Sequence, residues 1–122
     1  MDGHREEQDR ISNPELGWLR RVALAVEKDD RLEDAFKPAE IVEICENHGI
    51  DIPGCRINMD DKQVLMQVGK VLKRIFRETT TVMAGGFEIT RDTRSEYNPE
   101  QRREMDVHYH RFFESQQPQG ML

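Results

Sequence analysis

A chain of 122 residues, 36% hydrophobic and 34% charged, carries apolar material for one core of modest size and not for several folded units. No run approaches the roughly 18 apolar residues of a membrane span. The start, Met1-Asp2-Gly3-His4-Arg5-Glu6-Glu7, has no secretory apolar stretch, so a cytoplasmic setting without membrane contact is expected.

The net charge of -6 is uneven: residues 1–58 sum to -6, residues 59–94 to +2 and residues 95–122 to -2. An acidic whole argues against coating nucleic acid non-specifically, yet one basic face is still open to such a chain. Two cysteines, Cys45 and Cys55, are too few for a disulfide framework and fit a reducing compartment.

Residues 1–12 are polar and aperiodic and read as a disordered lead-in. Residues 116–122 read as a disordered tail, which leaves 13–115 as a single domain. A first helix opens at Asn13-Pro14-Glu15, with Asn13 as cap and Pro14 at the first helical position. Leu16, Leu19, Val22, Ala23 and Val26 give it one apolar stripe, with Trp18 off the stripe's centre. A second helix begins at Pro38 and stops at Gly49, with Ile41, Val42, Ile44 and Cys45 inward.

The third helix has the strongest signature. Asp60 and Gln63 stand at capping-box spacing, and Val64, Leu65, Val68, Val71, Leu72, Ile75 and Phe76 form a stripe. Gly69 interrupts it and is expected at a close helix crossing. After Arg77 the period changes from helical to alternating. Thr79–Met83 and Phe87–Arg91 flank Ala84-Gly85-Gly86, a hairpin signature. A last helix is expected from Asn98-Pro99-Glu100, with Met105, Tyr109, Phe112 and Phe113 on one face. The fold expected is mainly α with a small β-hairpin: a winged helix-turn-helix of three helices, a wing hairpin and a C-terminal helix.

The run Leu65-Met66-Gln67-Val68-Gly69-Lys70-Val71-Leu72-Lys73-Arg74-Ile75-Phe76-Arg77, followed by Gly86-Phe87-Glu88-Ile89-Thr90-Arg91, resembles winged-helix domains attached to primase-helicases of phages and mobile elements. The likeness covers roughly residues 36–94. It implies a module that assists DNA engagement or docks a partner and performs no chemistry itself. Neither an ATPase P-loop nor a primase carboxylate motif accompanies it, so it lends no helicase or primase activity.

Catalytic and metal chemistry find little support. Cys45, His48 and Cys55 lack a fourth ligand, and a packed thiol is the commoner fate of such a cysteine. Asp106 and His110 share a helical face as an ordinary polar pair. Gly85-Gly86 leads into a strand and is a turn, not a phosphate loop. No enzyme, metal or cofactor is therefore expected.

Two partners are expected. Duplex DNA would meet Lys62, Gln63, Gln67, Lys70, Lys73, Arg74 and Arg77 on the third helix, with Arg91 and Arg94 on the wing. Arg and Lys suit phosphate and guanine, and the two glutamines suit adenine. The alternative is a protein-docking winged helix, a small regulator or inhibitor. Trp18 would be its anchor if exposed, although core packing is the commoner fate of Trp, and homodimerisation would use the last helix unless that helix packs back on the first.

Overall fold

Three helix starts expected from capping chemistry are present in the computed structural model, which describes residues 13–115. The expected lead-in and tail, residues 1–12 and 116–122, lie outside the described residues. Helix α1 (Pro14–Lys28) is capped by Asn13, whose side chain accepts from the Leu16 amide at 3.3 Å. After the short strand β1 (Ala35–Phe36), α2 (Pro38–His48) ends on Gly49 in the left-handed conformation, φ 64°. Helix α3 (Asp61–Ile75) opens with the full reciprocal box: the Gln63 amide donates to Asp60 at 2.8 Å, and the Asp60 amide to Gln63 at 3.0 Å.

Strands β2 (Thr81–Ala84), β3 (Phe87–Asn98) and β4 (Arg103–Glu114) complete an antiparallel sheet of order β1-β4-β3-β2. Helix takes 40% and strand 29% of the described chain. That overturns the mainly α expectation: the protein is α/β, with three helices and a four-stranded antiparallel sheet. The winged helix-turn-helix with a C-terminal helix is not what forms. The link between α2 and α3 runs through residues 49–60 and is not a tight helical turn.

The expected last helix is strand because Asn-Pro chemistry serves two structures. Asn98 Oδ1 accepts from the amides of Glu100 at 2.9 Å and Gln101 at 3.2 Å. This is the side-chain turn that competes with helix capping. The Arg102 amide returns to the Asn98 carbonyl at 2.8 Å with Arg102 at φ 57°, so the chain reverses. Beyond it Met105, Val107 and Tyr109 alternate with charged and polar residues, and the β-prone aromatics suit a pleat. The alternation separates the four residues assigned to one helical face: Phe112 is buried, whereas Met105, Tyr109 and Phe113 lie on the opposite face and are half-buried.

The expected hairpin at Gly85-Gly86 does form. It joins β2 to β3 with both glycines at positive φ, 55° and 91°, which a two-residue hairpin turn needs. Helices and sheet enclose one core of Trp18, Leu19, Val22 and Val26 from α1, Ile41, Ile44 and Cys45 from α2, Val68, Val71 and Leu72 from α3, and Phe36, Ile89 and Phe112 from the sheet. Phe36 and Phe112 meet edge to face at 5.9 Å. Trp18 is only 1% exposed. It is part of the core and cannot be a surface anchor. Among the described residues no helix is long and apolar enough to cross a membrane.

Strands β3 and β4 pair along twelve positions, from Phe87↔Glu114 to Asn98↔Arg103. β2 covers only 81–84 and β1 only 35–36. Residues 92–98 and 103–109 therefore run on as a two-stranded arm without further strands beside them. Such a ribbon is marginal alone. Side chains brace it: Tyr109 donates to Glu96 at 2.5 Å, Ser95 donates to Glu104 at 2.7 Å, and Thr93 Oγ1 meets His108 Nδ1 at 2.9 Å.

Candidate nucleic-acid interface

The nine residues expected to meet DNA divide into two groups. Five are engaged within the fold. Gln63 is held in the α3 capping box. Gln67 is half-buried, and its side-chain amide donates to the Pro53 carbonyl at 2.9 Å, fastening the α2–α3 link to α3. Arg74 donates to Glu15 at 2.7 Å and ties α3 to α1. Arg91 is half-buried; its Nη1 donates to the Leu72 carbonyl at 3.4 Å and its guanidinium lies 6.0 Å over Phe76. Burial lowers its pKa. Arg94 donates to Asp92 at 3.0 Å and stacks 4.6 Å over the Tyr109 ring. The two wing arginines thus brace the root of the arm and the junction with α3.

The other four, Lys62, Lys70, Lys73 and Arg77, are exposed and make no ion pair or hydrogen bond with another described residue. At 100° per residue, the three lysines fall within an arc of about 80°, directly opposite Val68, Val71 and Leu72. Arg77, just past the helix end, continues the line. Phase explains the segregation: the residues that bury one face of α3 leave these four on the other. A lone cation neutralises a phosphate at little desolvation cost, whereas one already paired must first give up its partner.

Met66, 56% exposed, lies inside this arc with Gly69 at its margin. A Cβ at Gly69 would meet nothing within 4 Å, so the expected close helix crossing is absent. Two further cations were missed in the sequence. Arg102 and Arg103 stand exposed at the arm's tip, in a segment read as helix. Their signal was present: a polar Asn-Pro-Glu-Gln-Arg-Arg turn between two β-prone runs.

Cys45, His48 and Cys55 do not converge as a three-ligand group among the described residues, although Cys55 is near enough to Cys45 to act on its thiol. Cys45 is buried among the core residues, and burial pushes its thiol up to about 11. His48 pairs with Asp29 at 2.9 Å. Among the described residues no three His, Cys, Asp or Glu side chains converge as metal ligands would. Asp106 and His110 are not a solvated helical pair either. On β4 they are four residues apart along the strand, and His110 is 0% exposed. Its Nδ1 lies 3.3 Å from the Phe36 carbonyl, and Nε2 has no hydrogen-bond partner among the described residues. Burial and the nearby Arg91 charge lower its pKa to about 4.

A shallow open groove of about 540 Å³ lies between α1 and the end of α2, lined by Arg21, Leu24, Lys28, His48 and Ile50 among others. No family model, curated protein or solved structure matches the chain.

Proposed function

We propose that the chain is a non-catalytic DNA-binding module, an accessory to replication or regulation in a phage or mobile element, acting in the cytoplasm. One observation carries the reading: the outward face of α3 concentrates Lys62, Lys70, Lys73 and Arg77 without neutralising partners among the described residues, in a protein of net charge -6. An amphipathic helix needs polar residues outside, but that need alone does not gather three lysines within about 80° of one another. Its C-terminal turn is joined to β3 through Arg91 and the Leu72 carbonyl, which fixes the helix against the sheet. The sequence resemblance to primase-helicase modules is to winged-helix domains, a fold this chain does not adopt, and lends the reading no support; the free thiols of Cys45 and Cys55 fit a reducing compartment.

The test is fluorescence anisotropy with duplex and single-stranded DNA across a salt series. Wild type binds duplex at low salt, and the Lys62→Ala, Lys70→Ala, Lys73→Ala triple variant loses affinity on every sequence. Its salt slope falls by about three, close to one per phosphate contact removed. Undetectable wild-type binding at low salt, or a triple variant equal to wild type, refutes the DNA reading. The alternative is docking of a protein by a small regulator or inhibitor. It no longer has Trp18 as its anchor, nor a last helix through which to dimerise.

A further inference from the structure

The exposed face of α3 has a centre as well as a charge. Gly69 stands in the middle of a fifteen-residue helix, where glycine is less favourable than alanine. Neither its backbone nor its surroundings require it: its φ is not positive, and an added Cβ would meet nothing within 4 Å. Gly17 of α1 is equally open, but it lies in the first turn, where helices fray. What sets Gly69 apart is its company. Met66 precedes it by three residues and Lys73 follows by four, so all three share one side of the helix.

The same face lacks amide readers. Gln63 is held in the cap and Gln67 by the Pro53 carbonyl. What points outward is a thioether chain and bare backbone, ringed by Lys62, Lys70 and Lys73. A major groove admits a helix, and the thymine methyl is the apolar group on its floor.

We propose that Met66 and Gly69 are the base-facing centre of the α3 interface. The missing side chain at Gly69 lets the helix backbone approach the groove floor, and Met66 lies against thymine methyl groups while the lysines hold the flanking phosphates. This rests on the DNA reading above. It predicts a preference for thymine that no hydrogen-bonding side chain supplies.

The experiment compares wild type, Gly69→Ala, Gly69→Gln and Met66→Ala by thermal melting and by anisotropy. The probes are one duplex and its counterpart with every thymine replaced by deoxyuridine. Alanine and glutamine are good helix formers, so both Gly69 variants fold, and Gly69→Ala melts higher by about 3–8 °C. Despite that gain, its affinity falls about 5-fold, and that of Gly69→Gln about 20-fold or more, as the side chain lengthens. Wild type prefers the thymine duplex by about 3-fold, and Met66→Ala removes the preference. If wild type binds and the lysine variants weaken it, while Gly69 variants and the thymine methyl make no difference, the inference is overturned and the DNA reading survives. If wild type binds neither duplex, both are overturned.

Discussion

Acid should weaken this fold through one side chain. His110 is 0% exposed, lies 5.6 Å from the Phe76 ring, and has an Nε2 without a partner among the described residues. The neighbouring charges are Arg91 and, when protonated, His108, both opposing a positive imidazole. Among the described residues the one compensating contact is the Phe36 carbonyl. The folded pKa of about 4 lies below the ordinary 6.5 of an unfolded chain. Between those values the unfolded state takes up a proton that the folded state refuses, so stability is lost as pH falls from 6.5 toward 4. At about 1.4 kcal/mol per pH unit, the loss from this residue by pH 4.5 is about 2.5 kcal/mol. Urea unfolding at pH 7 and pH 4.5, with wild type and His110→Phe, isolates it, because carboxylates common to both proteins cancel. Wild type should lose about 2–3 kcal/mol more than the variant across that interval. Equal losses would show that His110 charges as readily folded as unfolded, and the argument from burial would fail.

Truncation at the centre of the core should be severe: Trp18→Ala is expected to cost about 3–5 kcal/mol and Leu72→Ala about 2–5 kcal/mol in denaturant unfolding. At the arm's tip, Asn98→Ala removes the acceptor of two amides and should cost about 1 kcal/mol, whereas Arg102→Gly relieves a left-handed residue and should stabilise by about 1 kcal/mol. In native protein a thiol reagent should label Cys55 well before Cys45, whose thiol is buried and pushed up to about 11. Simultaneous labelling would show that α2 opens easily.

The helical half was legible because its signals are local. Asn13, the Asp60–Gln63 pair and Gly49 each act within four residues, and the chain needs no distant partner to use them. The same locality misled at Asn98-Pro99, where cap and turn share one chemistry and only pairing with β3 decides between them. Period-two alternation through Met105, Val107 and Tyr109 was available, but Met105, Tyr109 and Phe112, four and three residues apart, fitted a helical face as well. Within the candidate interface, charge was legible and occupancy was not. Arg74, Arg91 and Gln67 look free in one dimension; their partners Glu15, Leu72 and Pro53 lie 59, 19 and 14 residues away in sequence. Trp18 lies off the centre of the stripe yet takes the core position usual for Trp, because contacts from α2 as well as from the sheet widen the buried arc of α1.

On the proposed DNA reading, the acidic remainder of the chain gives the salt dependence of binding an unusual form, and that can be used as a test. At about 0.15 M salt, charges act over roughly 8 Å, so DNA seated on α3 senses mainly the basic stripe. At about 0.01 M the range is roughly 30 Å, comparable to the whole domain, and the net charge of -6 repels the duplex as well. Four free cations set a limiting slope of about -3.6 for log affinity against log salt at the higher concentrations. Below about 0.05 M the slope should flatten as repulsion by the rest of the chain grows. A uniformly basic surface would show one straight line throughout. A straight line of slope about -6.3 would mean that Arg74, Arg91 and Arg94 leave their partners to join the contact, and the division of the nine residues into engaged and free would be wrong.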